Sequence, residues 1–225
     1  MPLIKSTFPR ALWAVLYKEG LCEFRIRYAV SALSMFALIT LSSVSMTIAG
    51  TTLTPELAAV LLWIILFFCA MAGLSRVFVQ EYETGTIFIL RLYASAQAIV
   101  FGKLVFNIIM LSALTLFIIP LFIIFLNIEI PFVFTFLLLL LLGDIGIAVA
   151  ATITAAIVAR TQGKSALFTV LTFPILLPQF LAVISATAKV LNHTVPQATE
   201  LIFIAGYDLV LCMAVSILFD YLWYE

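Results

Sequence analysis

Residues Phe132–Ala159 read FVFTFLLLLLLGDIGIAVAATITAAIVA, an apolar run with a single charge, Asp144, near its middle. A helix needs about 20 mostly apolar residues, at ~1.5 Å each, to cross a bilayer's hydrocarbon core. The run is longer than that. It is continuous rather than alternating, so it does not fit the strand of a membrane β-barrel. In lipid a helix satisfies its own backbone groups, which leaves the run no other stable option. Applied outward, the same test finds five more spans: Tyr28–Ala49, Glu56–Val79, Leu104–Leu126, Ala166–Ala188 and Glu200–Trp223. Composition agrees. The 225 residues are 65% hydrophobic and 10% charged, against roughly 25% charged in a soluble domain. The formal net charge of zero offers nothing to a nucleic acid. The length fits one membrane domain.

The breaks between spans carry helix-end chemistry. Thr54-Pro55-Glu56 offers an N-cap, a first-turn proline and an acid facing the helix dipole. Asn127–Pro131, Thr161–Ser165 and Leu191–Pro196 read as tight connections. Lys5, Arg10, Lys18, Arg25, Arg27, Arg76, Arg91, Lys103, Arg160 and Lys164 fall on one side of the bundle, and only Lys189 on the other. The positive-inside rule makes the first side cytoplasmic, and an even number of spans returns both termini to it. Trp13, Trp63 and Trp223 lie near segment ends or within reach of them.

The stretch before the first span is too charged to cross. At 100° per residue, Trp13, Leu16, Tyr17, Gly20, Leu21, Phe24 and Tyr28 share a face, with Lys18, Cys22 and Arg25 opposite. That pattern predicts an amphipathic helix on the inner leaflet; packing on another subunit is the alternative. Its apolar run, Ala11–Tyr17, ends at Lys18-Glu19 without a small-residue cleavage site, unlike a signal peptide. The expected fold is therefore an all-α integral membrane protein with six transmembrane helices and an N-terminal amphipathic interfacial helix. Residues 1–27 form the interfacial segment and 28–225 the six-helix domain.

The segment after the second span reads RVFVQEYETGTIFILRLYAS from Arg76 to Ser95, then Gly102-Lys103. Glu81 and Glu83 make it acidic. Gly85 permits a sharp bend, and Thr84 or Thr86 can cap a short helix. Ile87, Leu90 and Ala94, at i, i+3 and i+7, give that helix an apolar face. Two readings fit: a handle gripped by a peripheral motor, and an amphipathic loop lying on lipid.

The pattern E-x-E-x-G-T-I-x-x-L, followed by G-K and another apolar span, resembles the coupling-helix loop of ABC-2 type transporter permeases. Within that group the chain is most similar to the haem exporter protein B (CcmB-type) family of cytochrome c maturation system I. The better sign is the fifth span, FPILLPQFLA from Phe173, with its two prolines and the small-residue run Ser185–Ala188. The resemblance covers nearly the whole chain. One local departure is Tyr-Ala-Ser-Ala after the loop, where the family often has Leu-Pro repeats. The resemblance implies a non-catalytic subunit, working as a homodimer in the inner (cytoplasmic) membrane. Its partners would be a cytoplasmic ABC ATPase, haem-handling membrane proteins and a periplasmic haem chaperone. The ATPase would bind ATP and Mg. Haem would be cargo rather than a covalently bound cofactor, and the ATP-driven step would release the haem-loaded chaperone. Glu81, Glu83, Gly85, Thr86, Ile87 and Leu90 (in the loop spanning 80–103) would meet the ATPase. A permease for a lipid, polysaccharide or drug shares these features. An ATP-independent secondary transporter fits less well, because only Asp144 is a central intramembrane charge and no repeat relates the halves.

Few other residues offer chemistry. Gly163-Lys164-Ser165 resembles the end of a phosphate loop, but Val158 stands where the first glycine belongs. The cysteines are scattered and there is one histidine, so no metal site is expected. His193 has two readings, a nitrogen for haem iron and a solvated loop residue. A carboxylate at bilayer centre costs about 2.5–3.5 kcal/mol on insertion scales. Asp144 must therefore face protein or water: at a subunit interface or translocation path, or in a buried hydrogen bond helped by Gly143 and Gly146. Pro174 and Pro178 predict a kink, static or transmitting motion. For Asp208, Lys189 offers a partner at the outer end of the fifth span, although long lysines also snorkel without one.

Overall fold

The computed structural model describes residues 8–26, 28–48, 53–74, 86, 95–160 and 165–224. Among these, seven helices follow one another: α1 (Phe8–Ile26), α2 (Tyr28–Ile48), α3 (Pro55–Leu74), α4 (Ala96–Leu126), α5 (Val133–Arg160), α6 (Ser165–Leu191) and α7 (Ala198–Tyr224). Five of them, α3 to α7, are long and apolar enough to cross a membrane. In α2 the described apolar part is the shorter Leu33–Ile48.

α5 is the centre of the bundle and packs against α3, α4, α6 and α7. Its second half explains why. Ala148, Ala150, Ala151, Thr152, Thr154 and Ala155 are fully buried. Small side chains let neighbouring backbones approach on several sides, and dispersion supplies the attraction. Lipid tails are as apolar as leucine, so Phe134, Leu116 and Ile217 cost nothing by facing outward. α2 shows the two-sided pattern simply. Leu33, Ala37 and Leu41 are buried at i, i+4 and i+8, while Met35, Phe36 and Ile39 are exposed.

Helix ends follow local chemistry. The Thr54 hydroxyl accepts from Leu57 N at 3.4 Å at the start of α3. α4 ends at Asn127, whose left-handed φ of 48° turns its N–H back to the Ile123 carbonyl. His193 (φ 57°) makes the turn after α6, where Thr194 N donates to the Lys189 carbonyl at 2.9 Å. α6 runs unbroken through Pro174 and Pro178.

Three expectations are corrected. α4 begins at Ala96, not Leu104, because Ser95 caps it and Lys103 is an interior residue rather than a surface marker. The last third of the loop expected over 80–103 is thus helix. Trp63 lies in the core, 1% exposed, instead of at a membrane edge. Lys189 pairs with Glu200 across the α6–α7 turn, and Asp208 takes its bond from Gln179 instead.

Candidate functional site

The sequence points first to the segment between α3 and α4. Glu81, Glu83, Gly85, Ile87 and Leu90 lie outside the described residues, and Thr86 is an exposed turn residue. The start of α4 is well defined. Ser95 sits in extended backbone (φ −72°, ψ 152°) and its hydroxyl accepts from Ala98 N at 3.3 Å. Gln97 Nε2 donates to Asp220 Oδ2 at 3.0 Å, tying the first turn of α4 to the last turns of α7. Lys103 is fully buried, and its Nζ donates to Glu19 Oε1 at 2.8 Å. Gly102 makes that approach possible: a Cβ there would meet Val15 Cγ1 at 2.9 Å. α1 therefore packs on α4 through Ala11, Val15 and Glu19, and turns Trp13, Tyr17 and Leu21 outward.

The Glu19 carboxyl is subject to opposing forces. Burial pushes its pKa up. The ammonium groups of Lys103 and Lys18 pull it down, and they prevail, so it lies below the ordinary 4.5. These contacts form a polar collar around the start of α4.

A second polar region crosses the bundle interior. Asp144 is 1% exposed, and the Thr115 hydroxyl donates to its Oδ1 at 3.0 Å, joining α5 to α4. Asn107 Nδ2 donates to Thr152 Oγ1 at 2.9 Å, joining the same helices again. Trp63 Nε1 donates to Thr187 Oγ1 at 3.0 Å, joining α3 to α6. Gln179 Nε2 donates both to the Leu142 carbonyl at 3.3 Å and to Asp208 Oδ1 at 2.7 Å, so one side chain joins α5, α6 and α7. The Tyr207 hydroxyl donates to the Ile175 carbonyl at 2.7 Å, between the two prolines of α6.

The glycines beside Asp144 have specific neighbours. A Cβ on Gly143 would fall inside the Trp63 indole, and one on Gly146 inside the Gln179 amide. Both glycines are close-approach points of α5. Asp144 and Pro174 with Pro178 thus sit on elements joined by this seam, and Gln179 is the residue that joins them. Sequence reasoning missed Gln179, although it lies within the quoted proline stretch. An amide in the middle of an apolar span was the available signal, because such a group needs a partner in lipid.

The chemistry of the seam is hydrogen bonding between mostly neutral groups. Among the described residues no cluster of three His, Cys, Asp or Glu side chains suits a metal. His193 lies apart, lining a cleft of about 300 Å³ with Pro55, Asn127 and Glu129 at the opposite end of the bundle from the collar. The arrangement suits a mechanical element whose helices are registered by polar contacts.

Comparison with known families matches the model described as "CcmB protein" to residues 10–219. Among curated proteins, none matches the chain.

Proposed function

The chain belongs to the CcmB protein family, and from that premise we propose that it is the membrane subunit through which a separate ATPase drives a step of cytochrome c maturation. Family membership makes it a permease-type ABC transporter subunit of haem transport and cytochrome c biogenesis. The observation that carries the proposal is the extent of the match, from the first turn of α1 into the last turns of α7. The five long apolar helices support it.

In this reading α2 is the sixth span. Its 21 residues would reach about 30 Å, the thickness of the hydrocarbon core. α1 lies along the inner leaflet with Trp13, Tyr17 and Leu21 among the lipid headgroups. Both termini and the α3–α4 segment are cytoplasmic, and the membrane is the inner one. Glu81, Glu83, Gly85, Thr86, Ile87 and Leu90 present the surface that the ATPase grips. The ATPase holds ATP and Mg. Movement of that surface reaches α4 directly, and through the collar it reaches α1 and α7. Two copies pair about a two-fold axis. The transported or released species is haem, handled with neighbouring haem-binding membrane proteins and a periplasmic chaperone.

Gly85→Trp and Glu83→Lys test the reading. Each is expected to lower recovery of the ATPase with the membrane fraction at least several-fold, and to lower c-type cytochrome yield in parallel. Full recovery and full yield in both variants would overturn it.

A further inference from the structure

Asp208 and Gln179 are 5% and 2% exposed, and both lie within apolar spans. Gln179 Nε2 donates to Asp208 Oδ1 at 2.7 Å. The remaining oxygen of each group, Gln179 Oε1 and Asp208 Oδ2, is buried and has no hydrogen-bond partner among the described residues. Two acceptors on hydrogen-bonded neighbours therefore lack a donor, in a medium with no water to supply one.

A carboxylic acid and a primary amide are complementary when each gives one proton. The amide N–H meets one carboxyl oxygen, and the carboxyl O–H meets the amide oxygen. The first of these bonds is present here, and the two oxygens of the second are the orphaned ones. We propose that Asp208 and Gln179 form a proton-binding site within the membrane, in which a proton on Asp208 Oδ2 is given to Gln179 Oε1 and closes the acid–amide pair. The proton comes from bulk water by simple equilibrium, and no other bond forms or breaks.

Among the described residues the surroundings offer no competing cation. On α7, Cys212 lies one turn away and within electrostatic reach of Asp208. The Tyr207 hydroxyl is held by the Ile175 carbonyl, and Asp220 by Gln97. Glu200, near the start of α7, is bonded to Lys189 of α6. From α5, Asp144 takes a bond from Thr115. From α4, Lys103 is bonded to Glu19. A carboxylate at Asp208 would turn a negative oxygen toward the Gln179 amide oxygen with no charge to offset it. That repulsion would act on Gln179, directly after Pro178, whose missing N–H leaves the preceding turn back to Pro174 without a backbone bond. The proton thus decides how firmly α6 holds α7, and Gln179 passes the effect to α5 through the Leu142 carbonyl. This inference does not depend on the cargo or on the ATPase.

Infrared spectroscopy of the full chain in lipid vesicles at pH 7 tests it. The wild type is expected to show the carbonyl stretch of a protonated carboxylic acid. Asp208→Asn should lose one acid's share of that band, and should melt near the wild-type temperature because an amide can make both bonds. Gln179→Met should move the band to higher frequency, since the acid loses its acceptor. A band unchanged in Asp208→Asn means that Asp208 is ionised, and overturns the proposal. So does a wild-type melting temperature that rises with sodium or potassium while that of Asp208→Asn does not, because the site then holds a cation. Should Asp208→Asn fail to fold, Gln179→Met decides alone, and a band that stays in place overturns the proposal.

Discussion

The collar and the seam fasten overlapping sets of helices with different chemistry. At the collar, α1 is held to α4 by a buried ammonium on a carboxylate, with a second lysine alongside. In the seam, α3 to α7 are joined by hydroxyls, amides, an indole and two carboxyl groups, and these bonds use no cationic side chain. Pairing explains the difference. At the collar the buried ammonium meets a carboxylate that keeps 13% of its side-chain surface exposed, and a long lysine stem lies along apolar surface. Deep in lipid only groups that need little solvation persist, and each must find a partner within the bundle. Charge pairs yield to pH and salt, whereas a seam held by hydroxyls, amides and an indole yields chiefly to shape, with the proposed proton site at Asp208 its opening to pH. The comparison predicts that steric changes hurt most in the seam and charge changes most at the collar.

The largest effect is expected at Gly143. Its Cα faces the Trp63 indole, which is rigid, buried and bonded to Thr187. Gly143→Ala drives a methyl group into the ring, and overpacking plus the lost bond should cost about 3–5 kcal/mol. Gly146→Ala should cost less, about 1–3 kcal/mol, because the Gln179 amide can swing aside at the expense of its two bonds. Melting in detergent should therefore rank the wild type above Gly146→Ala, and that above Gly143→Ala. The reverse order would mean that Trp63 moves more easily than Gln179, and the seam would not be ruled by shape.

How much of this is legible in the sequence depends on whether a feature is local. Long apolar helices are written in continuous runs, so α3 to α7 can be read directly. Gly143 and Gly146 around Asp144 mark close packing, because small residues beside a buried acid have few other uses. Their neighbours are not legible, since nothing in one helix says which side chain of another will fill its notch. Charge misleads twice. Lys103 reads as a boundary because lysines usually mark the membrane edge, but Glu19, far away in the chain, lets it be buried. Lys189 matches Asp208 on sign, whereas Glu200 lies just across the turn and Gln179 supplies the acid's donor without any charge.

At the collar, Glu19→Gln keeps the shape and removes the charge. A pair between fully buried groups costs about 3–5 kcal/mol when broken, and an exposed pair at most about 1. Glu19 keeps 13% of its side-chain surface exposed, so about 1–2 kcal/mol is expected, confined to the docking of α1. Hydrogen exchange should quicken over Phe8–Ile26 and not over α5. The pH dependence has a definite sign. The Glu19 carboxyl is held below 4.5, so its contribution is complete above that value and is lost as pH falls through the lowered one. In the wild type α1 should stay protected from neutral pH down to about 4.5 and loosen only below it. Glu19→Gln should lack that acid transition.

The smallest effect is expected at Gly20, and its smallness is informative. It lies on α1, and a Cβ added there meets nothing within 4 Å. Alanine favours a helix over glycine by about 1 kcal/mol, so Gly20→Ala should leave melting unchanged or raise it slightly. The same substitution that injures α5 should thus be harmless or helpful on α1, because one glycine is a notch for another helix and the other faces open space. If α1 lies on lipid, as proposed, a methyl group there is equally welcome in vesicles. Loss of ATPase recovery or of cytochrome c yield in Gly20→Ala would show that a protein surface, not the membrane, rests against that face.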